Sequence, residues 1–233
     1  MATKLDCQVL YEDNHLLVVA KPPGLAVMTG TRTWQSVHRW AQQYLREKYR
    51  KPGRVYVGIV HRLDKPVSGV LVLARTSKAA RRLTEQFRVG SVDKVYWAVV
   101  EGIFPQRHGE LRDWVKKEPN SGRVRVFTDP QPGSRLAVLE FERKAMGRGL
   151  SWLELRPRTG RTHQLRAQLA HLGHPIYGDK KYGSRYVFPG AIALHAYRLS
   201  LEHPVRRERL TFSAAPPTAW RLFAPLGVPV NSV

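Results

Sequence analysis

Residues 61–75 read HRLDKPVSGVLVLAR and join a charged loop to a strand-like apolar run. The run from Gly69 to Ala74 is rich in branched and apolar side chains and has the length of a buried strand. Directly before it, the carboxylate of Asp64 stands between the cations of Arg62 and Lys65. Flanking positive charge favours the ionised form of a carboxylate. Two interpretations follow: an anion held at the rim of a core for chemistry, or a surface aspartate in a salt-bridged turn.

The chain is strongly basic. Its 233 residues include 39 Lys and Arg against 18 Asp and Glu, which gives a formal net charge of +21. The arginines are spread along the chain and are not collected in a tail. This pattern favours a nucleic-acid partner, whose phosphates would make binding steeply dependent on salt. A basic surface that serves only solubility is the alternative.

Cysteine usage and hydropathy exclude several classes of protein. Cys7 is the only cysteine, which excludes an internal disulfide and a multi-cysteine zinc site. No apolar run approaches the roughly 18 residues that a membrane span needs, and the first residues lack the apolar stretch of a signal peptide. We therefore expect a cytoplasmic protein without a membrane partner.

Apolar periodicity predicts both strands and helices. Thr33 suits the N-cap of a helix that runs to about Tyr49, and Ser77 suits the N-cap of a second helix that ends at Gly90. Residues 110–143 are typical of charged antiparallel hairpins. The segments predicted as single strands are 8–11, 16–20, 55–60, 69–74, 94–100, 137–143, 151–156, 192–201 and 209–212.

A second informative stretch covers residues 160–175, GRTHQLRAQLAHLGHP. Thr162 suits an N-cap, and the spacing of Leu165, Leu169 and Leu172 (i, i+4, i+7) places them on one face of the predicted helix. Arg166 flanks this apolar face in the first turn, so we expect its guanidinium near the core edge with a carboxylate partner. The electropositive helix N-terminus adds to a site suited to a carboxylate or phosphate.

Three histidines in this stretch raise the question of a metal site. His163 and His171 are two helical turns apart, and His174 follows them. No acidic ligand stands at a familiar spacing, and no H-E-x-x-H pattern occurs. The spacing favours solvated helix-surface histidines, and we expect no metal.

HRLD followed by Ser68-Gly69, with GRTHQLR about a hundred residues later, resembles the RluA family of pseudouridine synthases. The resemblance runs from about Leu10 to Pro217 and includes the turn GHPIYGD at residues 173–179. It implies an α+β fold with a central mixed, mostly antiparallel sheet, flanking helices and a catalytic cleft. It further implies a single catalytic domain over 1–233, with its core at about 10–217, that lacks the S4 domain of some relatives.

The resemblance also implies a role for each of four residues. Asp64 matches the essential catalytic aspartate, and Arg62 matches the arginine that fills the gap left by the flipped-out nucleotide. Tyr96 matches the tyrosine that stacks on the target uracil and takes part in proton removal. Arg166 matches the arginine that pairs with the catalytic aspartate. The family acts on uridines in structured rRNA or tRNA and uses neither a metal nor a nucleotide cofactor.

The residues themselves are compatible with this chemistry. Converting uridine to pseudouridine adds no atoms, so one anion beside the ribose suffices and no co-substrate is needed. Asp64 can attack the ribose carbon or remove a ribose proton, and both routes are open at this point. A non-catalytic RNA-binding or RNA-chaperone protein on the same fold is the alternative function. A monomer is the default expectation.

Overall fold

The structure, a computed structural model, describes residues 6–28, 35–119 and 121–230. The chain divides into two compact units. The first contains Met1–Asp93 and Ala196–Ala215, and the second contains Lys94–His195 and Pro216–Val233. The single catalytic domain predicted from the sequence stays a prediction. In the three described ranges, no helix is long and apolar enough to cross a membrane.

Strands and helices together give the predicted α+β class. The strands are β1 (Gln8–Glu12), β2 (Leu16–Lys21), β3 (Gly58–Ile59), β4 (Ser68–Ala74), β5 (Asp93–Glu101), β6 (His108–Lys117), β7 (Val124–Phe127), β8 (Arg135–Gly147), β9 (Leu150–Pro157), β10 (Leu194–Glu202) and β11 (Arg209–Ser213). The helices are α1 (Val37–Lys48), α2 (Ser77–Val89) and α3 (Gln164–His171), with 3₁₀ helices at Lys180–Tyr182 and Thr218–Leu226.

In the first unit, the sheet is organised around β4. Every residue of this strand is buried, as its continuous apolar run predicts. β2 pairs antiparallel with it from Leu16 opposite Ala74 to Lys21 opposite Gly69. The strand order is β1-β2-β4-β10, while β3 also pairs with β4 and β11 with β10. The helix α2 packs its buried Leu83 into the core that the strands form, which fixes the loop that enters β4.

The strand predicted at residues 55–60 is wrong in its extent, because only Gly58 and Ile59 form β3. The preceding backbone is held by side chains of α1 instead of by a neighbouring strand. Gln42 Nε2 donates to the carbonyl of Val55, and His38 Nε2 lies 3.1 Å from the carbonyl of Val57. These two contacts satisfy buried backbone oxygens that a strand ladder would otherwise satisfy.

Two helix caps differ from the predicted ones. Thr33 lies outside the described residues, and α1 begins at Val37 with Ser36 as its N-cap, whose hydroxyl accepts from Arg39 N. The cap of α2 is Thr76, one residue before the predicted Ser77. In each case the neighbouring hydroxyl reaches the backbone N–H three residues further on, as N-capping requires.

In the second unit, an antiparallel sheet runs in the order β5-β9-β8-β6-β7. β8 and β9 are joined by Arg148 and Gly149, which both have positive φ, as a tight hairpin turn needs. The helix α3 packs against β6 and β7. A small apolar core joins β6, β7, β8 and α3 and consists of Val115, Val124, Val126, Ala137 and Ala167.

Candidate active site

Asp64 lies in the first unit, in the loop between β3 and β4. Its carbonyl accepts from Val67 N at 3.0 Å and closes a tight turn around Lys65 and Pro66. The side chains of Leu63 and Val67 are buried on either side of the turn, whereas Asp64 itself is half-buried. The apolar anchors therefore hold the backbone of the turn on either side of the half-buried Asp64.

Lys21, at the end of β2, holds this turn from the interior. Its side chain is 1% exposed, and Nζ donates to the carbonyls of Pro22 at 2.9 Å, Leu25 at 2.8 Å and Lys65 at 3.2 Å. The carbonyl of Lys65 also accepts from Gly24 N at 2.8 Å. The backbone of Lys65, which follows Asp64, is thus held by two donors, Lys21 Nζ and Gly24 N.

Lys21 is also coupled to Asp64 through charge. Burial lowers the pKa of Lys21 to about 7, and the negative charge of Asp64 acts in the opposite direction. An ammonium has three N–H groups, which match the three carbonyls that Lys21 contacts. The sequence carried a signal for this residue, because a lysine that ends an otherwise apolar strand is unusual.

His61 and Arg62 precede Asp64 and lie in different surroundings. His61 Nε2 accepts from Val72 N at 2.9 Å, and the ring stacks on Phe87 with centroids 4.5 Å apart. The histidine of the HRLD motif therefore joins the loop to β4 and α2. Arg62 is exposed, so its guanidinium is accessible to a ligand.

Tyr96 lies in the second unit, in β5 opposite Leu155 of β9. Its side chain is half-buried, whereas those of Val95 and Trp97 are buried. The alternation of a strand explains this difference, because successive side chains point to opposite faces.

Arg166, in α3 of the second unit, forms a buried ion pair with Asp179. Nε donates to Asp179 Oδ2 at 2.6 Å and Nη2 donates to Oδ1 at 2.9 Å, and both side chains are buried. The guanidinium carbon also lies 5.1 Å from the ring centroid of Tyr182. Arg166 thus has a carboxylate partner, Asp179, that the sequence analysis did not identify. The pairing of Arg166 with Asp64 stays a prediction.

The start of α3 differs from the prediction that Thr162 caps it. The N-cap is His163, whose φ of 49° is left-handed and whose Nδ1 lies 2.9 Å from the hydroxyl of Tyr182. The amide oxygen of Gln164 accepts from Arg161 N at 3.1 Å and from the Thr159 hydroxyl at 2.7 Å. Gln164 therefore stabilises the entry to the helix in place of a threonine cap.

The three histidines of this region lie in different surroundings. His163 contacts Tyr182, His171 is exposed, and His174 Nδ1 lies 2.8 Å from the carbonyl of Glu101. Within the described part of the chain, no group of three or more His, Cys, Asp or Glu side chains is placed to hold a metal ion.

The comparisons with known proteins agree on one family. A family model described as RNA pseudouridylate synthase matches residues 15–171. The tRNA pseudouridine synthase C of Pectobacterium carotovorum subsp. carotovorum is 34% identical over 233 residues, which cover 92% of this chain but only 60% of that protein. The dual-specificity RNA pseudouridine synthase RluA of Haemophilus influenzae is 36% identical over 214 residues, covering 88% of this chain and 91% of that protein.

A solved structure agrees at the level of the fold. The human RNA pseudouridylate synthase domain containing 4 matches with a TM-score of 0.79 at 24% identity, covering 96% of this chain and 95% of that chain. The family and the fold are those that the HRLD and GRTHQLR motifs predict.

Proposed function

This chain belongs to the RNA pseudouridylate synthase family, and from that premise we propose that it isomerises specific uridines of structured rRNA or tRNA, with Asp64 as the catalytic carboxylate. Similar proteins are named as a tRNA pseudouridine synthase, a dual-specificity RNA pseudouridine synthase and a ribosomal large subunit pseudouridine synthase. The net charge of +21 supports an RNA substrate, because phosphate contacts dominate the affinity of such complexes.

The observation that carries the proposal is the fixed turn that presents Asp64. Buried side chains on both sides and two hydrogen bonds to the Lys65 carbonyl hold the backbone of the turn, while Asp64 itself is half-buried. A catalytic group needs such support, because a loosely held carboxylate loses rate through misorientation.

The reaction balances without any added reagent. The bond from N1 of uracil to C1′ of ribose breaks, the base rotates, and a bond from C5 to C1′ forms. The C5 proton is lost and N1 gains one, so neither an oxidant nor a co-substrate is required. Asp64 supplies the anion beside the ribose, either as nucleophile at the carbon or as base at a ribose proton.

Three further residues complete the proposed site. Arg62, which is exposed beside Asp64, stacks into the space that the extruded nucleotide leaves and offsets part of the unstacking cost. Tyr96 forms the aromatic wall against which the uracil turns. Arg166 orients Asp64 while its own orientation is set by Asp179. We further propose that the protein acts in the cytoplasm as a monomer, without a metal or a nucleotide cofactor.

Tritium release tests this proposal. RNA labelled at uracil C5, isolated from cells that lack this gene, is incubated with the wild type, with Asp64→Asn and with the control Asp6→Asn, which changes an exposed aspartate. We expect release by the wild type and the control, and none by Asp64→Asn although it still binds RNA. Release by Asp64→Asn overturns its catalytic role. Binding without release by the wild type, from either rRNA or tRNA, favours the non-catalytic alternative.

A further inference from the structure

A cavity of about 580 Å³ opens in the second unit, outside the four residues of the proposed site. This β7–α3 pocket lies between β7 and α3. Its volume is in the range that is typical of small-molecule sites. Its lining includes the apolar side chains of Val124, Val126 and Ala167. These three side chains are buried in the core that joins β6, β7, β8 and α3, so they form the floor beneath the pocket.

The rim of the β7–α3 pocket is cationic. Arg123, Arg125 and Lys181 line it, against the single carboxylate of Glu118. Within the described residues, none of these three cations forms an ion pair with a carboxylate, so their charges are available to an anion. An ideal Cβ on Gly122 would lie 3.0 Å from Lys181 Nζ, which places this ammonium over the β6–β7 turn.

Aromatic rings stand beside these charges. The guanidinium of Arg125 lies 5.3 Å from the ring centroid of Phe127, and both side chains lie on the face of β7 opposite to Val124 and Val126, at the edge of the sheet. Tyr182 forms part of the wall, and its hydroxyl accepts from Val124 N at 2.9 Å. Basic groups interleaved with aromatic rings over an apolar surface are the combination that binds single-stranded nucleotides.

The pocket is connected to Arg166 through one side chain. The Tyr182 ring that lines the pocket also packs against the Arg166 guanidinium, 5.1 Å from its centroid. The same tyrosine hydroxyl lies 2.9 Å from Nδ1 of His163, whose backbone is left-handed. A ligand in the pocket would therefore lie one aromatic ring away from a residue of the proposed site.

We propose that the β7–α3 pocket is a second RNA subsite, which binds an unpaired nucleotide of the substrate outside the target uridine, with its phosphate on Arg123, Arg125 and Lys181. This inference rests on the proposed function for its choice of RNA as the ligand. The aromatic rings of Tyr182 and Phe127 beside these cations favour a nucleotide over a purely polyanionic partner.

Two variants separate charge from shape. Arg125→Gln removes one rim cation, and Ala170→Trp fills the pocket from α3 without changing charge. The control Arg88→Gln removes an exposed arginine from α2, in the first unit. All three are made in an Asp64→Asn background, so that binding is measured without turnover. The probe is in vitro transcribed tRNA and large-subunit rRNA, titrated over a series of salt concentrations.

We expect Arg125→Gln to lower the slope of log affinity against log salt by about 0.7 to 0.9, the amount that one lost phosphate contact gives. Ala170→Trp should weaken affinity by about tenfold through lost stacking, with the slope unchanged. Arg88→Gln should change neither quantity. Photocrosslinking of 4-thiouridine RNA should label the peptide that contains residues 123–127 or Tyr182.

Equal effects of Arg125→Gln and Arg88→Gln would overturn the proposal, because they indicate diffuse charge. An Ala170→Trp protein that keeps its melting temperature and binds like the parent would overturn it as well. Equal losses with heparin as probe would show a general polyanion surface and would also overturn it. Normal tritium release by the wild type, together with any of these results, leaves the proposed function intact and removes only the subsite. Absence of release with the expected binding results removes the isomerase and keeps the subsite.

Discussion

Arg166 and Asp179 form a two-point ion pair in which Nε and Nη2 of the arginine donate to the two carboxylate oxygens at 2.6 and 2.9 Å. Both side chains are buried, so the pair replaces hydration with two charge-assisted hydrogen bonds. The arrangement fixes the plane of the guanidinium. An arginine that orients a catalytic carboxylate benefits from this, since the orientation is then set before substrate binds.

Asp179→Asn is expected to destabilise the protein and to slow the reaction. The substitution removes a buried negative charge and leaves the guanidinium in place, a change that costs about 3–5 kcal/mol in comparable buried pairs. Urea unfolding measures the free energy, and tritium release measures the rate. The control is Glu85→Gln, whose partner Arg88 and own side chain are exposed, so its effect on the free energy of unfolding should be much smaller. Equal costs for the two variants would contradict the role of burial.

Tyr96→Phe is expected to retain RNA binding and to lower the rate of tritium release. The substitution keeps the aromatic ring and removes the hydroxyl, which the family resemblance implicates in proton removal. Loss of a positioned acid–base group costs about 10²–10⁴-fold in rate. Single-turnover tritium release measures this, with the exposed Tyr56→Phe as the control. If Tyr96→Phe reacts at the rate of the wild type, the hydroxyl has no part in proton removal.

The sequence predicts the elements whose evidence is local. The uninterrupted apolar run of β4 and the alternation in β8 and β9 are each visible in a short window of residues, and each strand is present. Both family motifs depend on residues close together in the chain. They give Asp64 and Arg166 as candidate site residues without any knowledge of the fold.

Contacts between distant segments explain what the sequence does not show. The shortened β3 depends on Gln42, which reaches the Val55 carbonyl from α1. The partner of Arg166 lies 13 positions further on, in a turn whose sequence gives no sign of an ion pair. Lys21 gains its role only because the carbonyl of Lys65, 44 positions later, lies within its reach. Local periodicity carries no information on such pairs.

Gly69→Ala is expected to prevent stable folding of the first unit. Gly69 has φ of 119°, and an added Cβ would lie 2.6 Å from the backbone nitrogen of Ala196 and closer still to its carbonyl oxygen. The steric overlap adds to the cost of the backbone conformation, so the free energy of unfolding should fall by more than about 3 kcal/mol. The control is Gly149→Ala, because Gly149 also has positive φ but has nothing within 4 Å of its Cβ position.

Thermal unfolding of the two glycine variants separates the two causes. Gly149→Ala carries only the cost of the left-handed backbone, about 1–2 kcal/mol. A Gly69→Ala protein that unfolds at the same temperature as Gly149→Ala would show that β4 and β10 can separate without loss. Gly69 would then be required only for its positive φ and not for the close approach of Ala196.

Lys21→Met tests the interior support of the Asp64 turn. Methionine fills a similar volume but donates no hydrogen bond, so the carbonyls of Pro22, Leu25 and Lys65 lose the donors that Lys21 Nζ supplies. Each buried polar group left unsatisfied costs about 1–3 kcal/mol. We therefore expect a lower free energy of unfolding and, because the turn loosens, a lower rate of tritium release. Lys65→Met, which removes an exposed lysine from the same loop, is the control.

The stability difference between the wild type and Lys21→Met should depend on pH. Burial lowers the pKa of Lys21 from 10.5 to about 7, so between these values the unfolded chain binds more protons than the folded chain. The free energy of unfolding then rises with pH over this range and is flat with respect to this group below it. Urea unfolding of both proteins from about pH 6 to about pH 9 should therefore show a difference that grows above about pH 7. A difference that stays constant or shrinks would mean that the three carbonyls hold the ammonium charged throughout the range.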